Sequence, residues 1–268
     1  MTTLNSHNTN SPTAPQGKPQ GAAAPGSVSN PPDTASGGDG SGDGTGDGTT
    51  CGCAGAAPSV DVTEGSTQPD AISPDLIECA DGLARPPWAA ANRMLQEYYD
   101  TEWGMPIRDE QGVYERLCLE AFQSGLSWAL VLSKRDAFRH AFARFDPEKV
   151  ANFCDQDIER LLENPKIIRN RAKIEAAIAN AKATLSMREE GGLAALVWSF
   201  QPDSTPRPFT LEDIPKQTAE SVALSKALKK RGCKFVGPVT AFALMEAIGM
   251  VDTHLVGSHR RGSSGVWA

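Results

Sequence analysis

No aromatic residue occurs among the first 74 residues of this 268-residue chain, a stretch that nevertheless carries 13 of its 25 glycines. Without large apolar side chains such a segment cannot offset the entropy of ordering. Its low-complexity runs, Ser36-Gly37-Gly38-Asp39-Gly40 through Thr49-Thr50, are therefore expected to be disordered. Long apolar runs are also missing, so no membrane span or signal peptide is expected. Paired cysteine spacing is lacking in the part expected to fold: the six cysteines stand at 51, 53, 79, 118, 154 and 233. That scatter fits a reduced, cytoplasmic setting. The one close pair, Cys51-Gly52-Cys53, falls in the tail, where it either binds metal or oxidises, or is plain tail sequence.

What remains is one helical domain over 75–260, followed by a flexible C-terminus over 261–268. About 190 residues suffice for a single sizeable core. The first 74 residues hold one Lys and seven Asp/Glu, which is −6 of the total −7 and leaves 25 basic and 26 acidic residues beyond them. The acidic balance is thus a property of the tail. It does not exclude a nucleic-acid partner, because binding depends on where basic residues cluster.

After residue 88 nearly every apolar pattern has helical spacing. Val113, Leu117 and Ala121, then Leu130 and Val131, predict two helices around a turn at Gln123-Ser124-Gly125. Ile158, Leu161 and Leu162 begin a short helix. Ile167, Ile168, Ile174, Ala177, Ile178 and Ala181 predict a longer one with Arg169, Arg171 and Lys173 on its exposed side. Val222, Leu224 and Leu228, then Val239, Phe242, Leu244 and Ile248, predict two more. Asp146-Pro147 and Ile214-Pro215 are expected to mark helix starts. No strand-period run competes, so the fold class is mainly α.

Two regions carry chemistry. Between Leu228 and Thr240 a basic helix end, with Lys226, Lys229, Lys230 and Arg231, leads through Gly232-Cys233-Lys234-Phe235-Val236 to a new helix near Gly237-Pro238. Helix N-terminal N–H groups and glycine let a phosphate approach closely, so such a hairpin is able to grip DNA without reading sequence. A solvated basic helix end capped by glycine is the alternative. The second region gathers Tyr98, Trp103 and Trp128 around Glu120. A carboxylate on an apolar helix face must be paired, hydrogen-bonded or facing a cavity, and an aromatic pocket with one acid suits a flat cation. The alternative is that the tryptophans are core residues and Glu120 forms a helix salt bridge.

Taken together, seven ordered blocks resemble the DNA-3-methyladenine glycosylase I family, a branch of the helix-hairpin-helix glycosylases, over Pro86 to Gly257. They are R-P-P-W-A (85–89), Y-Y-D-T-E-W-G-M-P (98–106), C-L-E-A-F-Q-S-G-L-S-W (118–128), F-D-P-E-K-V-A (145–151), I-I-R-N-R-A-K-I (167–174), L-S-K-A-L-K-K-R-G-C-K-F-V-G-P (224–238) and D-T-H-L-V-G (252–257). The resemblance implies excision of N3-methyladenine, a cationic purine whose glycosidic bond is already weakened, by hydrolysis with water as acceptor. It implies that Glu120 meets the extruded base, and that Tyr98, Trp128 and Trp88 belong to the pocket or its wall, with Trp103 grouped with them. Flipping the base costs a few kcal/mol, less for damaged bases. Gly125 and Leu126 fall at a loop near the opened duplex; Leu126 is a wedge or a core leucine. Lys229, Lys230, Arg231, Gly232, Lys234 and Gly237 are the implied backbone contacts. The implied partner is double-stranded DNA with alkylated bases, bound by a monomer with no membrane contact. A related enzyme with altered range, such as N3-methylguanine, a non-catalytic DNA-binding module, and a tail acting as a tethering arm are the competing readings.

The family also implies a zinc ion held by Cys, His, His and Cys. Those positions here are Pro86, Tyr99, His254 and Ser258, of which only His254 is a usual ligand. A clasp packed without metal is expected, with His254 kept as a hydrogen-bonding residue; Cys79 and His259 are the nearby side chains that would have to substitute. Leu95 stands where the family often has an aromatic, which bears on base affinity and range.

Overall fold

Several helices begin on a side chain that accepts a backbone N–H from the first turn, a donor the helix itself leaves unpaired. In this computed structural model, which describes residues 71–267, Asn92 accepts from Leu95 at 3.0 Å, Asp109 from Gly112 at 2.7 Å, Asp146 from Glu148 at 3.0 Å and Asn170 from Lys173 at 3.1 Å. Ser127 and Thr218 do the same for Leu130 and Ser221.

The α-helices among the described residues are α1 (Pro87–Ala90), α2 (Arg93–Thr101), α3 (Glu110–Gln123), α4 (Trp128–Ser133), α5 (Arg135–Ala141), α6 (Pro147–Ala151), α7 (Asp155–Glu163), α8 (Arg171–Met187), α9 (Gly192–Trp198), α10 (Ala219–Lys230) and α11 (Pro238–Ala247). A short antiparallel ladder, β1 (Ile77–Glu78) with β2 (Ala84–Arg85), precedes them. No described helix is long and apolar enough to cross a membrane. The fold is mainly α, as the periodicity predicts.

Two local expectations fail for physical reasons. The helix expected from Ile167 begins only at Arg171, because Asn170 caps it there; Lys173 then points inward and is buried, not exposed. Pro147 does open α6, with the Asp146 carboxylate accepting N–H groups just before it. Ile214-Pro215 opens nothing, since Ile214 offers no such acceptor, and α10 waits for Thr218.

α3 is the central element. It buries ten residues and packs against α8, α9 and α11. Beneath it Phe122, Phe138, Phe142 and Phe145 form a ring cluster, with Phe122 and Phe138 centroids 4.5 Å apart and Phe142 stacked on Phe145 at 5.6 Å. Past the end of α2, Gly104 meets Gly249 beyond α11: a Cβ on Gly249, whose φ is +70°, would lie 2.5 Å from the Gly104 carbonyl oxygen.

Of the expected tail, residues 1–70 with Cys51 and Cys53 lie outside the described residues. Ser73, assigned to it, is buried and donates its N–H to Val256 O at 2.9 Å. The end expected to be flexible is tied down. Arg261 donates to His254 O at 2.6 Å and Pro206 O at 3.0 Å, Gly262 N–H to the Asp252 carboxylate at 2.8 Å, and the Trp267 indole to Met250 O at 3.0 Å. These acceptors are assembled only by the fold, so no local pattern announces them.

Candidate active site

Tyr98 on α2, Glu120 on α3 and Trp128 at the start of α4 come together because α4 packs on both other helices. The Tyr98 and Trp128 ring centroids are 5.2 Å apart at 45°, and the charge of Glu120 bears on the Tyr98 hydroxyl. The Glu120 side chain is buried and takes no hydrogen bond or ion pair among the described residues; burial pushes its pKa up to about 8, against the opposing pull of Arg116 one turn earlier. The Trp128 indole N–H is likewise buried without a partner. Buried polar atoms are almost always satisfied, so the orphaned indole N–H, next to a phenol and a carboxyl that no side chain pairs, is prepared for a ligand that supplies the missing partner.

The helix salt bridge that competed with this reading is not formed. Arg116 directs its guanidinium to Glu102 at 2.9 Å and Glu115 at 3.1 Å, Arg135 holds Glu102 at 2.6 Å, and Arg139 holds Glu115 at 2.8 Å. This network supports the end of α2 and is not legible from the sequence, although Glu102 stands within Y-Y-D-T-E-W-G-M-P (98–106) and Arg116 lies four residues before Glu120. A second acid was also missed. Glu246 on α11 is buried, accepts from Thr253 Oγ1 at 2.6 Å, and is driven well above the ordinary carboxylate range, first by burial and further by Glu120.

The turn between α3 and α4 is fixed from below. Lys173 Nζ donates to Phe122 O at 2.8 Å and Ser124 O at 2.5 Å, a cation placed at the negative end of α3. Gly125 is exposed with φ +76°, and Leu126 is partly exposed, so it is not a core leucine.

Trp88 and Trp103 pack together in a second aromatic cluster. Trp88 sits edge-on to both Tyr99 and Trp103 at 5.4 Å, Tyr99 stacks on Trp103 at 5.7 Å, and Trp103 meets His254 at 4.6 Å. This cluster occupies the family's zinc positions. Tyr99 OH and Ser258 Oγ bond each other at 2.5 Å, His254 Nδ1 bonds Asp252 at 2.7 Å, and His259 is engaged by Ala84 O at 3.2 Å and Asp100 at 3.1 Å. Burial lowers the pKa of His254, whose Nε2 is left unpartnered. One free imidazole nitrogen, a proline and two hydroxyls satisfied by each other do not make a zinc donor set, and no described group of three or more His, Cys, Asp or Glu is placed for a metal. Tyr99→Phe is expected to lower stability by about 1 kcal/mol, read as a lower urea midpoint with base release unchanged; an unaltered midpoint would show that this hydroxyl pair contributes nothing.

At the α10–α11 turn Lys229, Lys230, Gly232 and Lys234 are exposed and Gly237 partly so, while Cys233 and Val236 are buried beneath. Arg231 departs from the expected phosphate contacts: its guanidinium is bound to Glu190 at 2.5 Å. The competing acid lies 41 residues away in sequence and is invisible in the local K-K-R-G pattern.

Known proteins of one family resemble this chain in sequence and fold. The sequence pattern of the family described as methyladenine glycosylase matches residues 88–261. The chain is 47% identical over 174 residues to DNA-3-methyladenine glycosylase 1 of Escherichia coli K12, covering 63% of this chain and 92% of that protein. It is 45% identical over 175 residues to DNA-3-methyladenine glycosylase of Haemophilus influenzae, covering 64% and 94%. Among solved structures, a crystal structure of 3-methyladenine DNA glycosylase I superposes with a TM-score of 0.62 at 43% identity, covering 63% of this chain and 95% of that one. A Staphylococcus aureus structure addressing 3-methyladenine recognition gives 0.62 at 34% identity, covering 69% and 96%. The chain therefore belongs to the methyladenine glycosylase family.

Proposed function

We propose that this protein is a DNA repair glycosylase that flips N3-methyladenine out of double-stranded DNA and hydrolyses its N-glycosidic bond with water. It acts as a monomer in the cytoplasm. The observation that carries the proposal is the unpartnered, buried Glu120 carboxyl beside the Tyr98–Trp128 ring pair. A cationic purine placed there gains stacking and cation-π attraction from the rings and draws Glu120 toward its ionised form, so that the carboxylate bonds the base edge. The charge already on the base weakens the bond to the sugar, and the fixed carboxylate favours the charge distribution of the transition state over the ground state. Neutral adenine lacks the charge that offsets ionising a buried acid, which supplies discrimination. Leu126 fills the gap left in the stack, and the lysines at the α10–α11 turn hold the DNA backbone.

The proposal is tested by incubating the full chain with methylated duplex DNA and identifying the bases released. N3-methyladenine is expected as the main product, with unmethylated adenine retained; failure to release N3-methyladenine rejects the proposal. Equal release of N3-methylguanine would widen the substrate range, an outcome tied to Leu95, a buried residue of α2 at the position where the family resemblance implies an aromatic.

A further inference from the structure

Phe235 has φ +55° in the turn between α10 and α11, with its ring exposed. The left-handed region is unfavourable for a bulky side chain, whereas the same turn uses glycine for it at Gly232 with φ +92°. The strain persists because both neighbouring residues are gripped. Asn180 on α8, fully buried, accepts the Lys234 N–H at 2.7 Å and donates its own amide to Lys234 O at 3.2 Å. Ser225 on α10, also fully buried, donates to Val236 O at 2.6 Å. These bonds occupy the backbone groups that face inward, while the N–H groups of Phe235, Val236 and Gly237 have no acceptor among the described residues. Lys229, Lys230 and Lys234 are exposed around them.

We infer that Asn180 and Ser225 are positioning residues for DNA binding: they hold the peptides on either side of Phe235 in the strained form that turns a row of backbone donors and lysines toward a phosphate. This rests on the reading of the turn as the DNA contact. Neither side chain belongs to α2, α3 or α4, so the clamp acts on the duplex and not on the base pocket. Strain kept at an exposed turn by buried side chains is what a functional constraint produces, and the clamp would be superfluous if the turn relaxed on its own.

The test measures binding of a labelled lesion-free duplex and, separately, of free 3-methyladenine to the full-length protein. The paired change Lys229→Ala and Lys230→Ala examines the contact itself and is expected to weaken duplex binding and reduce its salt slope by about 2; no change would remove that reading. Asn180→Ala is expected to weaken duplex binding about tenfold with binding of the free base unchanged. In a Phe235→Gly background, where the turn adopts its shape without restraint, Asn180→Ala should cost twofold or less. Equal losses in both backgrounds, or parallel loss of free-base binding, would show that Asn180 merely supports the fold and would overturn the inference while leaving the lysine result standing. If Asn180→Ala does not fold, Ser225→Ala takes its place in the same cycle and decides the matter by the same criteria.

Discussion

Glu120→Gln should reduce excision of N3-methyladenine by about 10² to 10³-fold, the usual cost of removing a preorganised electrostatic group from an active site, while leaving duplex affinity unchanged. The pH dependence is the sharper readout. Since burial pushes the Glu120 pKa up to about 8 in the free protein, kcat/KM of the native enzyme should rise with pH and level off near that value. The break in kcat should fall lower, because the bound cationic base favours the ionised acid. The glutamine variant should show neither break. A native profile flat from pH 6 to pH 8 would exclude ionised Glu120 as the working form.

The same titration makes a stability prediction of opposite sense. The folded-state pKa is raised above the ordinary value of 4.5 to about 8 by burial, so between these limits the folded chain holds a proton that the unfolded chain has released. Stability is fully present below the lower limit and is lost as pH rises through the upper one, at about 1.4 kcal/mol per pH unit for this group. Glutamine carries no such penalty. Glu120→Gln should therefore gain on the native protein as the medium becomes more alkaline, by an amount read from denaturant midpoints at pH 6 and pH 8. A constant difference would mean that the acid is solvated.

Gly249→Ala should destabilise the fold by at least about 3 kcal/mol. The new methyl would lie 2.5 Å from the Gly104 oxygen and 2.9 Å from its carbonyl carbon, both backbone atoms unable to rotate away, at a φ of +70° that a Cβ disfavours. Relief requires moving the end of α2 away from the segment after α11, which disturbs the Trp103–His254 contact at 4.6 Å. A loss of roughly 6 to 12 °C in Tm follows for a domain of this size. A drop of less than about 2 °C would show that the two segments separate easily.

How far the sequence discloses this molecule depends on the range of the interaction. Local rules succeed: apolar spacing foretells α3, α10 and α11, and Asp146-Pro147 foretells α6. Glu120, Tyr98 and Trp128 are recognisable because an acid on an apolar helix face is costly and aromatics nearby suggest what offsets the cost. What escapes is decided across the fold. Lys173 reads as an exposed helix lysine until the carbonyls of Phe122 and Ser124 are brought over it. Arg231 reads as a phosphate contact until Glu190 takes it. Asn180 and Ser225 carry no local mark, since their partners are fixed only when α8, α10 and α11 have packed. The contacts of Trp88 with Tyr99 and of Trp103 with His254 are likewise made only in the fold.

The stitching of first and last segments has a consequence for how the domain comes apart. Ser73 is hooked to Val256, Tyr99 to Ser258, and the guanidinium of Arg261 to the chain before it, so fraying cannot begin at one extremity without loosening the other. Amide exchange should accordingly report both extremities opening together as one cooperative unit, in place of the independently melting termini that most small helical proteins display.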